Sequence, residues 1–269
     1  MSLKLEFSAA THAGKVRANN EDSYLLAPEI ELAIVADGMG GHNSGEVASS
    51  LGVKVTREKF LSMSGTGLKP QQFNDKLSLE TNQLGFAVQL ANSVIFEAGN
   101  SGANNKGMGT TLTAALFKSP FICLAHIGDS RAYLLRKGEM KQLTEDHSLV
   151  MEHVRTGLLT REQAEVSPLQ NILTRALGTQ KAPEIDLLEI ELTEGDRVLM
   201  CTDGLFKAVK LQEIQATLIA QPDDLKACAS LVDSANANGG PDNITLAIGT
   251  VKKKTLKETL KDMVKKTYA

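Results

Sequence analysis

Residues 110–143 read TTLTAALFKSPFICLAHIGDSRAYLLRKGEMKQL. Four runs, Thr110–Lys118, Phe121–Gly128, Arg131–Leu135 and Met140–Leu143, read as strands. Lys118-Ser119-Pro120, Asp129-Ser130 and Lys137-Gly138-Glu139 join them. Links this short, with turn chemistry, predict antiparallel neighbours and a meander. Upstream, Leu5–Thr11, Ser23–Leu26 and Ile30–Ala36 read as strands, and helical spacing runs from about Ser44 to Leu61 and over Leu77–Ala98. Between those helices Ser62–Asn74 is polar and carries Pro70, which predicts a loop. Downstream, His147–Glu165 is polar and weakly helical, and Ile185–Leu192 and Arg197–Cys201 flank the turn Thr193-Glu194-Gly195-Asp196 as another hairpin. Two helices, Leu211–Ala220 and Asp223–Ala235, precede a closing strand at Ile244–Val251. About ten strands in hairpins, with helices arriving in pairs, predict an α+β fold of antiparallel sheets flanked by helices rather than a parallel βαβ sheet.

A chain of 269 residues that is 42% hydrophobic and 23% charged can bury one large core. The formal charge of −3, the absence of Trp and an aromatic content of 4% argue against nucleic acid as a partner. Charges lie among the first residues, and no uncharged apolar stretch reaches the roughly 18 residues of a membrane span, so a cytoplasmic location is expected. Cys123, Cys201 and Cys228 lie far apart within apolar segments, which suits buried small hydrophobes rather than redox or zinc chemistry.

The chemical signal is a recurrence at strand ends. Leu32–Ala36 is followed by Asp37-Gly38, Cys123–Gly128 by Asp129-Ser130, and Val198–Thr202 by Asp203-Gly204. Asp242 stands just before the last strand. Any one of these aspartates could serve a turn, but four on one rim would raise one another's pKa unless cations compensated them. Carboxylates without His or Cys partners favour Mg²⁺ or Mn²⁺ over zinc. The Gly38-Met39-Gly40-Gly41 run has no Walker lysine and no dinucleotide spacing, so it reads as close packing beside metal.

Arg17-Ala18-Asn19-Asn20-Glu21-Asp22, Asp37-Gly38-Met39-Gly40-Gly41-His42, Gly109-Thr110-Thr111, Gly128-Asp129-Ser130-Arg131, Asp203-Gly204 and Gly240-Pro241-Asp242-Asn243-Ile244-Thr245 stand in fixed order. In this ordered series the chain resembles the PPM, or type 2C, protein phosphatases, above all their bacterial branch, over about residues 8–250. The resemblance implies a β-sandwich of two antiparallel sheets flanked by pairs of helices, in four layers α-β-β-α. It also implies a serine/threonine phosphatase that needs two Mn²⁺ or Mg²⁺ ions, with a weaker third. Asp37 would bridge the two ions, the Gly38 carbonyl would ligate one, and Asp203 and Asp242 would complete the other. Asp129 would help hold the third ion with Asp203, or else cap its turn. Glu21 and Asp22 would act through coordinated waters, and Arg17 would bind phosphate through its planar fork. The nucleophile would be a hydroxide between the ions. Met39 stands where eukaryotic members often carry His, so the leaving-group proton would come from His42 or from a metal-bound water. His12, His126, His147 and His153 lack ligand spacing and are read as structural.

The substrates implied are phosphorylated proteins, with a bacterial Ser/Thr kinase as the opposing enzyme. Two other classes stay open: a non-catalytic sensor or interaction module on the same fold, and a hydrolase of small phosphoesters. The catalytic domain is expected over 1–251, with a variable flap at about 146–177. Lys252–Ala269 holds seven Lys against Glu258 and Asp262, a net +5 that leaves −8 on the rest of the chain. Thr255-Leu256-Lys257-Glu258 fits a capping box, and Leu256, Leu260, Met263 and Val264 form one helical stripe. Docking on the protein's own acidic body is the expected role, with a partner or dimer contact and an anionic membrane surface as alternatives.

Overall fold

The computed structural model describes residues 3–41, 44–71, 73–101, 107–255 and 258. The order is β1 (Leu3–His12), β2 (Asp22–Ala27), β3 (Leu32–Met39), α1 (Ser44–Met63), α2 (Leu79–Ser101), β4 (Gly109–Thr110), β5 (Leu112–Lys118), β6 (Phe121–Ile127), β7 (Arg131–Arg136) and β8 (Glu139–Gln142). Then follow α3 (Leu149–Arg155), α4 (Arg161–Glu165), β9 (Asp186–Glu191), β10 (Arg197–Cys201), α5 (Asp203–Phe206), α6 (Leu211–Ala220), α7 (Asp224–Ala237) and β11 (Ile244–Lys253). One sheet runs β1-β11-β10-β7-β8 and the other β2-β3-β5-β6-β9, with β4 paired to β3. The ladders are antiparallel.

Three apolar layers explain why the strands read as nearly continuous hydrophobic runs. In β3, Ala33 and Val35 face the other sheet with Leu124, Leu134 and Met200. Leu32, Ile34 and Ala36, one residue out of phase, pack beneath Phe60, Leu84 and Ile95 of α1 and α2. On the opposite outer face, Leu199, Cys201 and Leu246 meet Ile214, Leu218 and Leu231 of α6 and α7. The central strands β3, β5, β6 and β10 therefore bury both of their faces, one against the partner sheet and one against helices. All three cysteines are free and buried.

Two of the expected hairpins are not hairpins. The Asp129-Ser130 link carries the chain out of the second sheet, where β6 lies, into the first, where β7 lies, and the 192–196 link makes the same crossing from β9 to β10. The reason is pairing: β6 already has β5 and β9 on its two sides, and β7 has β10 and β8, so consecutive strands have no free edge to share. The sequence also gave no sign of α5, a single turn opened by Asp203.

At the chain's end, Thr255 and Glu258 form the expected reciprocal contacts. The Thr255 N–H donates to Glu258 Oε2 at 2.7 Å, and the Glu258 N–H donates to Thr255 Oγ1 at 3.3 Å. Lys4 Nζ lies 2.6 Å from Glu258 Oε1. The stripe residues Leu256, Leu260, Met263 and Val264 lie outside the described residues. No helix among the described residues is long and apolar enough to cross a membrane.

Candidate active site

Strand register brings the aspartates to one end of the sandwich. Asp22 opens β2 directly opposite Asp37 at the close of β3. Cys201, two residues before Asp203, pairs with Leu246 near the start of β11, and Asp242 lies just before that strand. Cys201 also pairs with Arg131, which places Asp129 at the same rim. The two sheets touch here through Thr202, whose Oγ1 donates to Asp22 Oδ2 at 2.9 Å.

The backbone around Asp37 is fixed by two threonines that the sequence motif supplied without a role. The Asp37 N–H donates to Thr111 Oγ1 at 2.9 Å, and the Asp37 carbonyl accepts from the Thr111 N–H and from Thr110 Oγ1, both at 2.9 Å. Gly38 is required by space: a Cβ there would fall 2.1 Å from the Gly45 carbonyl at the start of α1. Glu21 lies beside the same helix start, its Oε2 2.7 Å from where a Gly45 Cβ would stand. Asn243 sews the Arg17 loop to the Asp242 loop, donating to the Ala13 and Asn19 carbonyls at 2.9 and 2.8 Å and accepting from the Glu21 N–H at 2.8 Å. Arg17, over half exposed, reaches Asp242 Oδ2 with Nη2 at 2.9 Å.

These side chains line a cavity of about 590 Å³ that includes Arg17, Glu21, Asp37, Asp129, Asp203 and Asp242. A smaller cavity of about 290 Å³, at the other end of the same strands beside Lys4, Pro28 and Glu258, has no such cluster of carboxylates. Burial, then the Asp203 and Asp242 charges, push the Asp22 carboxyl up to about 7, against hydrogen bonds from Thr245 and Thr202. Burial and then Asp203 push Asp129 up to about 7. Asp37 is held well above the carboxylate range by burial and by Asp22, Asp203, Asp129 and Asp242. Such a set is unstable as bare anions.

Two buried carboxylate oxygens, Asp22 Oδ1 and Asp203 Oδ1, have no hydrogen-bond partner within the protein. Among the described residues no three carboxylate, imidazole or thiol groups are already drawn together to hold a metal ion. Protein cations occupy part of the set instead: Arg17 pairs with Asp242, and Lys207 Nζ lies 2.5 Å from Asp203 Oδ2. The orphaned oxygens, the all-oxygen donor set and the raised carboxyls nevertheless fit hard divalent cations.

Of the sequence-derived candidates, Arg17, Glu21, Asp22, Asp37, Gly38, Asp129, Asp203 and Asp242 gather at this end. His42 lies outside the described residues. His126 and His147 form a buried pair with ring centroids 4.9 Å apart. His147 Nδ1 accepts the Gly128 N–H at 3.1 Å and its Nε2 meets Asp186 Oδ2 at 3.1 Å, so the pair props up the turn that carries Asp129. Arg131, next to that turn, is spent on a bidentate pair with Asp146 and lies over the Phe206 ring. Sequence reasoning missed Thr202, Lys207 and Asn171, whose partners are set by packing between distant segments.

The sequence profile described as protein phosphatase 2C matches residues 11–240. The serine/threonine phosphatase stp of Listeria innocua is 36% identical over 241 residues, 88% of this chain and 92% of that protein. The crystal structure of the Mycobacterium tuberculosis serine/threonine phosphatase PstP/Ppp superposes with a TM-score of 0.81 at 36% identity, covering 94% of this chain and all of that one. The catalytic domain of PstP in complex with two manganese ions gives 0.77 at 36% identity, covering 93% of this chain and all of that one. With the expected four-layer sandwich, the aspartate-lined end and this extent of match, the chain belongs to the protein phosphatase 2C family.

Proposed function

We propose that this chain hydrolyses phosphoserine and phosphothreonine in proteins with two divalent cations, Mn²⁺ or Mg²⁺, held at the aspartate-lined end. The observation that carries the reading is the convergence of Asp22, Asp37, Asp203 and Asp242 from both sheets, with two buried oxygens unpartnered, beside the partly exposed guanidinium of Arg17. Asp37, with the Gly38 carbonyl, Asp203 and Asp242, would hold the ions; Glu21, Asp22 and Asp129 would orient or extend that shell. Bound cations would lower the pKa of a coordinated water and neutralise charge on phosphoryl oxygens. The chain's own residues do the rest. Arg17 keeps guanidinium donors beyond the one on Asp242, enough to take a phosphoryl oxygen and orient the phosphorus toward the carboxylates. Thr110 and Thr111 hold the Asp37 backbone so that its two oxygens stay fixed while charge develops. For the leaving-group proton, His42 is the candidate side chain.

The cavity is lined mostly by charged and polar residues, which suits a phosphorylated side chain presented by a protein, and a Ser/Thr kinase would be the opposing enzyme. Phosphoserine and phosphothreonine peptides should be hydrolysed with added Mn²⁺ or Mg²⁺, and phosphotyrosine peptides much more slowly. A chain that binds such peptides without turning them over would support the sensor reading, and one that accepts only small phosphoesters would support the third.

Residues 146–177 are proposed as the flap of a catalytic domain spanning 1–251. The segment carries α3 and α4, is pinned by bridges Ser148 to Leu173 and Thr110 to Leu177, and lends Asn171 and Leu173 to the cavity wall. Leu158 and Val166 on it are 70% and 82% exposed. Replacing 157–168 with a Gly/Ser linker should alter the ranking of phosphopeptides by kcat/KM while p-nitrophenyl phosphate hydrolysis changes little. A uniform loss on every substrate would contradict the selecting role.

A further inference from the structure

Lys207 is the residue of the acidic end that no motif announced. It follows Asp203 by four residues, the spacing at which an acidic and a basic side chain meet along one helical turn. Its Nζ lies 2.5 Å from Asp203 Oδ2 and 2.6 Å from Asn171 Oδ1, so one ammonium joins the strand-end aspartate to the 146–177 segment. The two oxygens of Asp203 are thereby divided: Oδ2 is taken by Lys207, while Oδ1 is buried and unpartnered. Burial and the Asp203 charge raise the Asp129 carboxyl, and the Lys207 ammonium opposes them. Lys207 lines the same cavity as Asp37 and Asp129 and is three-quarters shielded from solvent.

A third divalent cation shared by Asp129 and Asp203 would have to sit against this ammonium and would lose Asp203 Oδ2 as a ligand. Like charges at such range in a partly desolvated site repel strongly. We infer that Lys207 serves as a built-in monovalent cation at the Asp129–Asp203 edge, excluding a third divalent ion and tethering Asn171 to that edge. The inference rests on the two-cation reading above and narrows it. Lys207 is a positioning residue, since it acts on the reaction through Asp203 and the flap.

Titration calorimetry of Mn²⁺ into the chelator-stripped full chain tests it, alongside Lys207→Met, Lys207→Gln and Lys207→Arg. The wild type and Lys207→Arg should saturate at two Mn²⁺ per chain. Lys207→Met and Lys207→Gln should take up one further, weaker equivalent, and amides of 146–177 should exchange faster in both. Two neutral variants of different shape guard against one failing to fold. An equal Mn²⁺ count in the neutral variants and the wild type overturns the inference, as does an extra equivalent in Lys207→Arg. No Mn²⁺ uptake by the wild type sinks the two-cation reading and the inference with it, and that failure is visible without any variant.

Discussion

Asp37→Ala should lower turnover of a phosphothreonine peptide by roughly 10³-fold or more, equivalent to about 4 kcal/mol of transition-state stabilisation. No other carboxylate can replace it: Asp37 faces Asp22 across β2 and β3, its backbone is fixed by Thr110 and Thr111, and each of the other four aspartates acts on its carboxyl. The loss belongs in kcat, because Asp37 would act on the cations and the reacting phosphoryl group rather than on the peptide around it. The metal-free stability of the same position should move in the opposite direction. Asp37→Asn replaces a carboxyl that the metal-free fold must keep protonated, at a cost near neutral pH, so the stripped variant should melt above the stripped wild type. Near-normal turnover by folded Asp37→Ala would dismiss the assignment of this end as the reacting centre.

Removing the cations should have the second large effect. Chelator should abolish phosphopeptide hydrolysis and, relative to Mn²⁺ at a hundred times its Kd, cost about 2.7 kcal/mol of stability for each ion, or about 5 kcal/mol for the two. At roughly 2–4 °C per kcal/mol for a chain of this size, the melting temperature should fall by about 10–20 °C. The dependence on pH has a definite sign. Burial pushes the Asp22 and Asp129 carboxyls up to about 7 in the folded chain, against 3.8 for an ordinary aspartate, so the folded state holds the extra protons between those values. Their contribution to metal-free stability is present below about pH 4 and lost as pH rises through 7. Ligands must be deprotonated to bind a cation, so stabilisation by Mn²⁺ grows over the same range. The melting temperatures with Mn²⁺ and with chelator should lie close together at pH 5 and far apart at pH 8. A gap independent of pH would mean that the ions bind elsewhere.

The sandwich was legible because its strands bury both faces, which leaves nearly unbroken apolar runs such as Leu32–Ala36 and Val198–Cys201, and because turn residues mark nearly every strand end. The crossings between sheets were not legible. Asp129-Ser130 and Thr193–Asp196 have the chemistry of hairpin turns, and only the pairing of β6 with β9 and of β7 with β10 shows that the chain changes sheet there. The aspartates stood out as a set, since each ends or precedes an apolar strand. Lys207 and Thr202 did not, for a lysine and a threonine near a strand end are ordinary in sequence, and their meaning comes from Asn171 and Asp22, which are distant along the chain.

The pairing of the first strand with the last, Leu3 opposite Lys253 through His12 opposite Ile244, reaches beyond architecture. Arg17 and Asp242 stand 225 residues apart in sequence yet share one ion pair. During synthesis Asp37 emerges from the ribosome long before its neighbours Asp203 and Asp242, and β1 must wait with an unpaired edge until the final strand is made. Contacts of such long range form late and slowly. A nascent chain therefore cannot assemble the reacting end until Asp242 and β11 have been made, so Arg17 and Asp37 must emerge long before the partners that complete their site.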